Sequence, residues 1–240
     1  MRRRPARSRV TDRDPRDPRD PRVPRVPRVP LVLATRSAGK IRELTALCAA
    51  EGIAVETLDA LGLVEEAAEA GIEVHDTFPG NAEAKARWFA ARLPGRVVLA
   101  EDSGLVVDAL GGAPGVHSKR WAQISASGAA LDAACDAGNN AALLRALEGQ
   151  LRREAHYVCV AVCIYGAQRW GGEGRVDGRI GEHARGSGGF GYDPYFESIE
   201  LGKTFGEASP EEKARVSHRA RALRSVLAAG GAALRQQLGR

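Results

Sequence analysis

Apolar and polar positions in the first half of the chain alternate between strand-like runs and helix-like spacing. Three short apolar runs predict buried strands: LVLAT (31–35), IAVETL (53–58) and VVLA (97–100). After the first run, apolar residues recur every three or four positions from Ile41 to Cys48, which predicts a helix that stops at Gly52. A second helix is predicted over residues 81–95, because its apolar residues share one side and Pro-Gly ends the pattern.

The second half of the chain pairs its strands. Two long strands are predicted in HYVCVAVCIYG (156–166) and RWGGEGRVDGRI (169–180), joined by a turn near Gly166. Helices are predicted over residues 139–149 and 209–229, and the second of these begins with a Ser-Pro-Glu-Glu capping box. Alternating helices and strands followed by paired strands predict an α/β fold with a mixed sheet.

Composition narrows the class of protein. The chain has 240 residues, of which 44% are hydrophobic, enough for one sizeable core without requiring two domains. No run approaches the ~18 apolar residues of a membrane span, and the N-terminus lacks the apolar region of a secretory signal. Cys159 and Cys163 would share one face of a strand, which favours reduced core thiols over a disulfide or a metal site. We therefore expect a cytoplasmic protein with no membrane partner.

The net charge of +5 has its origin in an N-terminal tail. Residues 1–30 contain eleven Arg and four Asp, a charge of +7, so residues 31–240 carry 5 − 7 = −2. Proline at every third position of the tail blocks helix formation and, with few apolar side chains, predicts a disordered segment. A solvated extension is favoured over a nucleic-acid-binding arm, because the remainder of the chain offers no basic groove.

The sequence LVLATRSAGK (31–40) places a polar loop between a strand and a helix. Ser37 can cap the helix, and Lys40 falls in the first helical turn, where its charge opposes the helix dipole unless an anion lies between them. This pattern suits a phosphate site. It lacks the upstream glycine of a Walker A loop, and an ordinary strand–helix junction remains the alternative.

Two adjacent carboxylates, Glu101 and Asp102, follow the VVLA run. Side chains at the carboxyl end of such a strand point into the crevice where α/β proteins bind ligands. Neighbouring carboxylates repel each other, and Mg²⁺, which takes one or two carboxylates plus phosphate oxygens, removes that conflict. A solvated turn is the competing interpretation.

Two further segments carry candidate binding groups. GSGGFGYDPYF (186–196) surrounds aromatic residues with glycines, which permits stacking on a base, although a glycine-rich surface turn has the same composition. In EEKARVSHRARAL (211–223), Lys213 and His218 would lie about 140° apart on an unbroken helix. Ser217 is a possible second N-cap, so a break before His218 could bring both to one ligand.

Together and in this order, five motifs resemble the inosine triphosphate pyrophosphatase family of RdgB-like enzymes. The motifs are LATRSAGKIREL, DTFPGNAEAKA, LAEDSGLVVDALGGAPGVHSKRWA, GGFGYDPYF and EEKARVSHRARAL. The resemblance covers about residues 31–227. It implies an α/β fold with an elongated mixed β-sheet, flanking helices and two lobes around a central cleft, so that residues 31–240 form one domain. It also implies a homodimer.

The resemblance further implies a reaction. Members hydrolyse non-standard purine nucleoside triphosphates (ITP, dITP and XTP) between the α and β phosphates, with Mg²⁺, and so cleanse the nucleotide pool. Asp102 matches the general base and a metal ligand, Glu101 a metal or water-positioning partner, and Glu73 the acidic residue that completes the metal site.

The remaining matched positions are predicted to bind substrate. Those of the triphosphate loop are Thr35, Arg36, Ser37, Ala38, Gly39 and Lys40. Asn81 and Lys85 match the polar positions of the family's TFxxNAxxKA motif, and Ser103 matches a substrate contact that directly follows the general base. The purine-recognition loop comprises Phe190, Gly191, Tyr192 and Asp193. Donors toward a 6-oxo group are Lys213, His218 and Arg219.

Two departures from the family pattern qualify these assignments. Ser37 stands where the family has Asn, which leaves open a catalytically impaired homologue that binds purine nucleotides as a sensor. The segment before Thr77 lacks the family's Glu-Thr-Gly, so Glu65, Glu66 and Glu69 remain alternatives to Glu73.

Overall fold

The structure, a computed structural model, describes residues 29–125 and 135–239. The predicted disordered tail lies outside the described residues except for its last two positions, and it stays a prediction. None of the described helices is both long and apolar enough to span a bilayer.

A seven-stranded mixed sheet forms the centre of the molecule. Its strands are β1 Leu31–Leu33, β2 Val55–Thr57, β3 Val97–Val107, β4 Glu154–Tyr165, β5 Gln168–Ile180, β6 Phe196–Ser198 and β7 Lys203–Thr204, arranged in the order β2-β1-β3-β4-β5-β6-β7. β1 pairs in parallel with β2 and β3, and every later pair is antiparallel. The predicted α/β class and mixed sheet are confirmed.

Helices flank both faces of this sheet. They are α1 Ala38–Ala50, α2 Phe78–Arg92, α3 Trp121–Ile124, α4 Asp136–Ala146, α5 Pro210–Val216 and α6 His218–Gln237. Short 3₁₀ turns cover Ala67–Gly71, Asp108–Leu110 and Gly115–Arg120. The last predicted helix is divided at Ser217, as its capping pattern suggested, and α6 is interrupted again at Gly231.

Alternation along the strands divides the core into two layers. Odd-numbered residues of β3, such as Leu99, pack with α1 and α6, whereas even-numbered ones, such as Val98, pack with α2. Cys159 and Cys163 share the first layer as buried thiols without a disulfide, in agreement with the prediction. A third cluster around Phe196 and Phe205 fills the far end of the sheet.

One boundary predicted from the sequence is wrong in a way that matters for the site. The apolar run VVLA suggested a strand that ends at Ala100, but β3 continues through the two carboxylates to Val107. Antiparallel pairing with β4, for instance Asp102 opposite Val160, holds this extension. A tertiary partner thus keeps polar residues in a strand that their local sequence would end.

Candidate active site

A cleft of about 840 Å³ opens over the middle of β3. Fifteen of the predicted site residues line it: Thr35, Arg36, Ser37, Lys40, Glu73, Lys85, Asp102, Ser103, Phe190, Gly191, Tyr192, Asp193, Lys213, His218 and Arg219. Ala38, Gly39, Asn81 and Glu101 do not line it, although each contacts or neighbours a residue that does. The sequence-predicted residues are therefore brought together from distant parts of the chain.

Asp102 lies buried on the floor of the cleft. Its carboxylate accepts hydrogen bonds from Asn81 Nδ2 (3.0 Å) and from the backbone N–H of Ser103 (3.0 Å). Burial raises the pKa of Asp102 above its ordinary value, although Lys40 and Lys85 oppose that shift. A carboxylate with a raised pKa is a better proton acceptor than an exposed one.

Glu73 faces the same part of the cleft from the segment before α2. Its carboxylate forms an ion pair with Lys85, whose Nζ also donates to the backbone oxygen of Glu101 (2.9 Å). Burial alone would raise the pKa of Glu73, but the charge and hydrogen bond of Lys85, together with the charges of Lys40 and Lys119, outweigh burial and lower that pKa. Glu73 also raises the pKa of Asp102, so the two carboxylates are within electrostatic reach of each other.

Glu101 points to the opposite face of β3 from Asp102, because successive strand residues alternate. Its buried carboxylate accepts from Lys40 Nζ (3.1 Å), Arg219 Nε (3.4 Å) and the Cys159 thiol (3.3 Å). Burial works against ionisation here, yet Lys40 and Arg219 hold the pKa of Glu101 well below its usual range. Glu101 is thus a buried counter-charge for two cations of the site.

The loop between β1 and α1 has the predicted capping geometry. Ser37 Oγ accepts from Lys40 N (3.5 Å), and Thr35 Oγ1 accepts from Ser37 N (3.2 Å). The replacement of Asn by Ser therefore leaves the start of α1 capped. Gly39 lies under the Phe190 ring, since a Cβ there would approach that ring to 2.6 Å.

Arg36 lines the cleft, but its guanidinium is bound by groups of the cleft wall. Its guanidinium donates to both carboxylate oxygens of Glu69 (3.2 and 2.8 Å), to Asp59 (2.9 Å) and to the Leu63 carbonyl (2.7 Å). These bonds fasten the segment that carries Glu73 to the triphosphate loop. The prediction that Arg36 binds substrate remains untested, and in this structure its donors serve the cleft wall.

Because of the break between α5 and α6, the basic residues of the last motif all line the same cleft. Ser217 ends α5 in an extended conformation and caps α6 by accepting from Ala220 N (3.2 Å). Lys213 donates to Asp193 (2.5 Å), and Arg219 Nη2 donates to Ser103 Oγ (3.0 Å). An unbroken helix would have separated these groups.

His218 is buried and stacks on Tyr157, with ring centroids 4.6 Å apart. Burial, together with the neighbouring Arg219 and Lys213 charges, lowers the pKa of His218 well below the ordinary value for histidine. The ring is therefore neutral at pH 7. Its Nδ1 is buried and has no hydrogen-bond partner among the residues that the structure describes.

Glu43 is the main site residue that sequence reasoning missed. Its carboxylate bridges Lys213 (2.5 Å) and Arg219, residues about 170 positions further along the chain. Glu43 lies three residues after Lys40 on α1, so both face the same side of that helix. This spacing was visible in the sequence, but the partners of Glu43 were not.

The candidate metal ligands are the carboxylates of Asp102 and Glu73. Within residues 29–125 and 135–239, no three His, Cys, Asp or Glu side chains are grouped as a metal centre. Asp102 and Glu73 are two hard oxygen donors beside a cleft with cationic walls, which is the donor set that Mg²⁺ uses when substrate phosphates supply further ligands.

Comparison with known proteins finds relatives over most of the chain. Residues 31–229 match the sequence profile of the Ham1 family. A dITP/XTP pyrophosphatase of Ralstonia nicotianae is 48% identical over 200 residues, covering 82% of this chain and 94% of that protein. Its counterpart of the same name in Geobacillus kaustophilus is 47% identical over 196 residues, covering 80% and 90%.

Solved structures give the same relationship. The Ham1 protein of Staphylococcus aureus superposes with a TM-score of 0.66 at 31% identity, covering 82% of this chain and 96% of that one. A Mycobacterium abscessus nucleoside-triphosphatase / dITP/XTP pyrophosphatase superposes with a TM-score of 0.60 at 36% identity, covering 82% and 98%. With its profile, close relatives and fold in agreement, the chain belongs to the Ham1 family.

Proposed function

We propose that this protein hydrolyses non-standard purine nucleoside triphosphates such as dITP, XTP and ITP to the monophosphate and pyrophosphate. The observation that carries the proposal is a buried carboxylate, Asp102, at the floor of a cleft that joins a cationic phosphate loop to a group of buried donors. Relatives that are 46–48% identical bear the name dITP/XTP pyrophosphatase.

Asp102 is the proposed general base. Asn81 and the Ser103 N–H fix the orientation of its carboxylate, and burial makes it more basic than an exposed aspartate. It would take a proton from a water whose oxygen attacks the α-phosphorus. The bond from that phosphorus to the bridging oxygen breaks, and pyrophosphate leaves with the bond electrons.

We assign Mg²⁺ to the same end of the cleft. Asp102 and Glu73 would hold it, and when bound it would neutralise charge on the phosphate oxygens. Glu101 is the third predicted carboxylate, but its position on the opposite face of β3 supports a different role. There it positions Lys40 and Arg219.

Phosphate binding is assigned to the start of α1 and to two lysines. The capped helix presents free backbone N–H groups and the positive end of its dipole. Lys40 and Lys85, both lining the cleft, would exchange their present carboxylate partners for phosphate oxygens. Ion pairs within the site thus keep these cations in place for the substrate.

Purine selectivity follows from the donors at the other end of the cleft. Lys213, Arg219 and neutral His218 can donate to the 6-oxo group of hypoxanthine or xanthine, and the Phe190 ring offers a stacking face. The 6-amino group of adenine would leave buried donors unpaired, which is costly. We also propose that the enzyme is a cytoplasmic homodimer, as the family resemblance predicts.

The competing function, a nucleotide sensor without turnover, has less support. It rested on Ser37 in place of Asn, and Ser37 still caps α1. The carboxylates that a pure binder does not need are present and ionisable at the cleft floor.

The deciding experiment measures pyrophosphate release with Mg²⁺ from ITP, dITP and XTP against ATP, GTP and dTTP. Asp102→Asn should lower kcat by on the order of 100-fold or more, because the proton acceptor is removed. Asp108→Asn, an exposed aspartate just beyond the same strand, is the matched control. Asp102→Asn activity within about threefold of wild type would remove Asp102 from the base role, and ITP binding without turnover would favour the sensor.

A further inference from the structure

Side chains of α4 hold the backbone of the purine-recognition loop at the edge of the cleft, which Asp136 itself lines. We propose that Asp136 and Asn140 position the purine-recognition loop for base binding, because together they hydrogen-bond to the backbone of Gly191, between Phe190 and Tyr192. This inference rests on the proposed function, since it assigns these α4 residues to base recognition in the same cleft.

Both polar backbone groups of Gly191 are bound by α4. The Gly191 N–H donates to Asp136 Oδ2 (2.6 Å), and its carbonyl accepts from Asn140 Nδ2 (3.0 Å). Asp136 and Asn140 are four residues apart and therefore share one face of α4. The bond to Asp136 is charge-assisted, which makes it stronger than a neutral pair.

The loop needs an external support because its own sequence gives it little rigidity. Gly186, Gly189 and Gly191 all adopt positive φ, a region that glycine enters at low cost and that side chains rarely adopt. From the inside, Asp193 accepts from Phe190 N (2.8 Å). The α4 contacts fix the next peptide, so the Phe190 and Tyr192 side chains are held on both sides as they line the cleft.

The same helix also fixes another part of the cleft wall, which includes Ser118 and Lys119. Asn139 accepts from Ala122 N (2.9 Å) and donates to the Lys119 carbonyl (2.9 Å). The Tyr192 hydroxyl donates to the Ser118 carbonyl (2.7 Å), joining that wall to the recognition loop. None of these bonds involves a proposed phosphate or metal residue. Loss of the hydrogen bonds from α4 to Gly191 should therefore weaken purine binding and leave phosphate binding unchanged.

The test compares ligands that contain only one half of the substrate. Asp136→Ala should raise the KM for ITP and weaken IMP binding, measured by calorimetry, by about tenfold, because one charge-assisted bond is lost. Binding of tripolyphosphate, which has no base, should stay within about twofold of wild type. The preference for ITP over ATP should fall.

Matched variants separate positioning from general stability. Asp136→Asn keeps an acceptor oxygen and should restore most of the IMP affinity, whereas Asn140→Ala should behave like Asp136→Ala. Arg145→Ala, an exposed change further along α4, is the control and should have no effect.

Two results would overturn the inference: unchanged IMP affinity in both alanine variants, or an equal loss of IMP and tripolyphosphate affinity with a lowered Tm. The calorimetric comparison needs no turnover, so it decides the role of α4 even if wild type releases no pyrophosphate. That last result would count against the proposed function alone.

Discussion

At the scale of single residues, neighbours in sequence take different roles because the strand turns them to opposite faces. Asp102 faces α2 and the open cleft, whereas Glu101 faces α1 and α6, where Lys40 and Arg219 neutralise it. Adjacent carboxylates in the sequence therefore do not imply a shared ion. Their separation removes most of the repulsion that the sequence suggested a metal was needed to relieve.

His218 gives a prediction about pH. Because burial and adjacent cations lower its pKa in the folded state, the unfolded chain binds more protons as the pH falls below about 6.5. Above that pH the shifted pKa of His218 does not reduce the free energy of unfolding. Below it, the free energy of unfolding decreases as the pH falls, by at most about 1.4 kcal/mol per pH unit. Urea unfolding between pH 7.5 and 5.5 measures this loss.

His218→Gln should make that part of the pH dependence disappear, whatever it does to stability at pH 7.5. His183→Gln, which changes an exposed imidazole, is the control. An unchanged slope in His218→Gln would show that other groups, such as His156, whose pKa burial also lowers, cause the acid sensitivity.

At the scale of elements, the position of α6 depends on glycines in β5. A Cβ on Gly174 would lie 2.0 Å from the His218 carbonyl oxygen, and one on Gly172 would lie 2.4 Å from Val226 N. These two glycines are on the same face of the strand, so α6 lies directly against the β5 backbone. The start of α6, which carries His218 and Arg219, is therefore set by residues that never touch the cleft.

Gly174→Ala should displace the start of α6, because the contact is with backbone that cannot move aside. We expect a loss of about 1–3 kcal/mol in the free energy of unfolding. We also expect the KM for ITP to rise more than the inhibition constant of tripolyphosphate, because α6 carries the proposed donors to the purine and tripolyphosphate has no base. Chemical unfolding and steady-state kinetics measure the two effects.

Gly171→Ala is the matched control, since its added Cβ meets only the mobile end of Arg169 at 3.0 Å. Equal behaviour of the two variants would mean that the close approach of α6 to Gly174 does not position the donors.

At the scale of the whole molecule, charge is divided between a basic tail and an acidic remainder. Residues 1–28 contain all eleven arginines of the tail, and the structure describes none of them. The fifteen predicted residues that line the cleft all lie between Thr35 and Arg219. Nothing in the proposed chemistry therefore needs the tail.

Deletion of residues 1–28 should leave kcat and KM for ITP within about twofold of the full chain. It should also remove any salt-dependent retention on DNA, because the remaining chain carries a net negative charge. Kinetics and DNA retention at several salt concentrations test both statements. A kinetic loss above tenfold would assign the tail a part in catalysis, and persistent DNA binding would place a nucleic-acid site in the domain.

Local rules explain what the sequence by itself determined. Helix caps at Ser37 and Ser217 and the shared face of Cys159 and Cys163 depend on residues a few positions apart, so periodicity revealed them. The order of five motifs was enough to indicate the family.

Only the tertiary structure decided which groups meet across long sequence separations. Glu43 binds Lys213 170 residues away, Asp136 binds Gly191 55 residues away, and β4 extends β3 through Glu101 and Asp102. Hydrophobic periodicity in the sequence does not reveal these contacts, because each depends on the order of strands in the sheet and on how closely the helices pack against that sheet. The sequence determines which chemical groups the chain carries, whereas tertiary packing determines which of these groups are in contact.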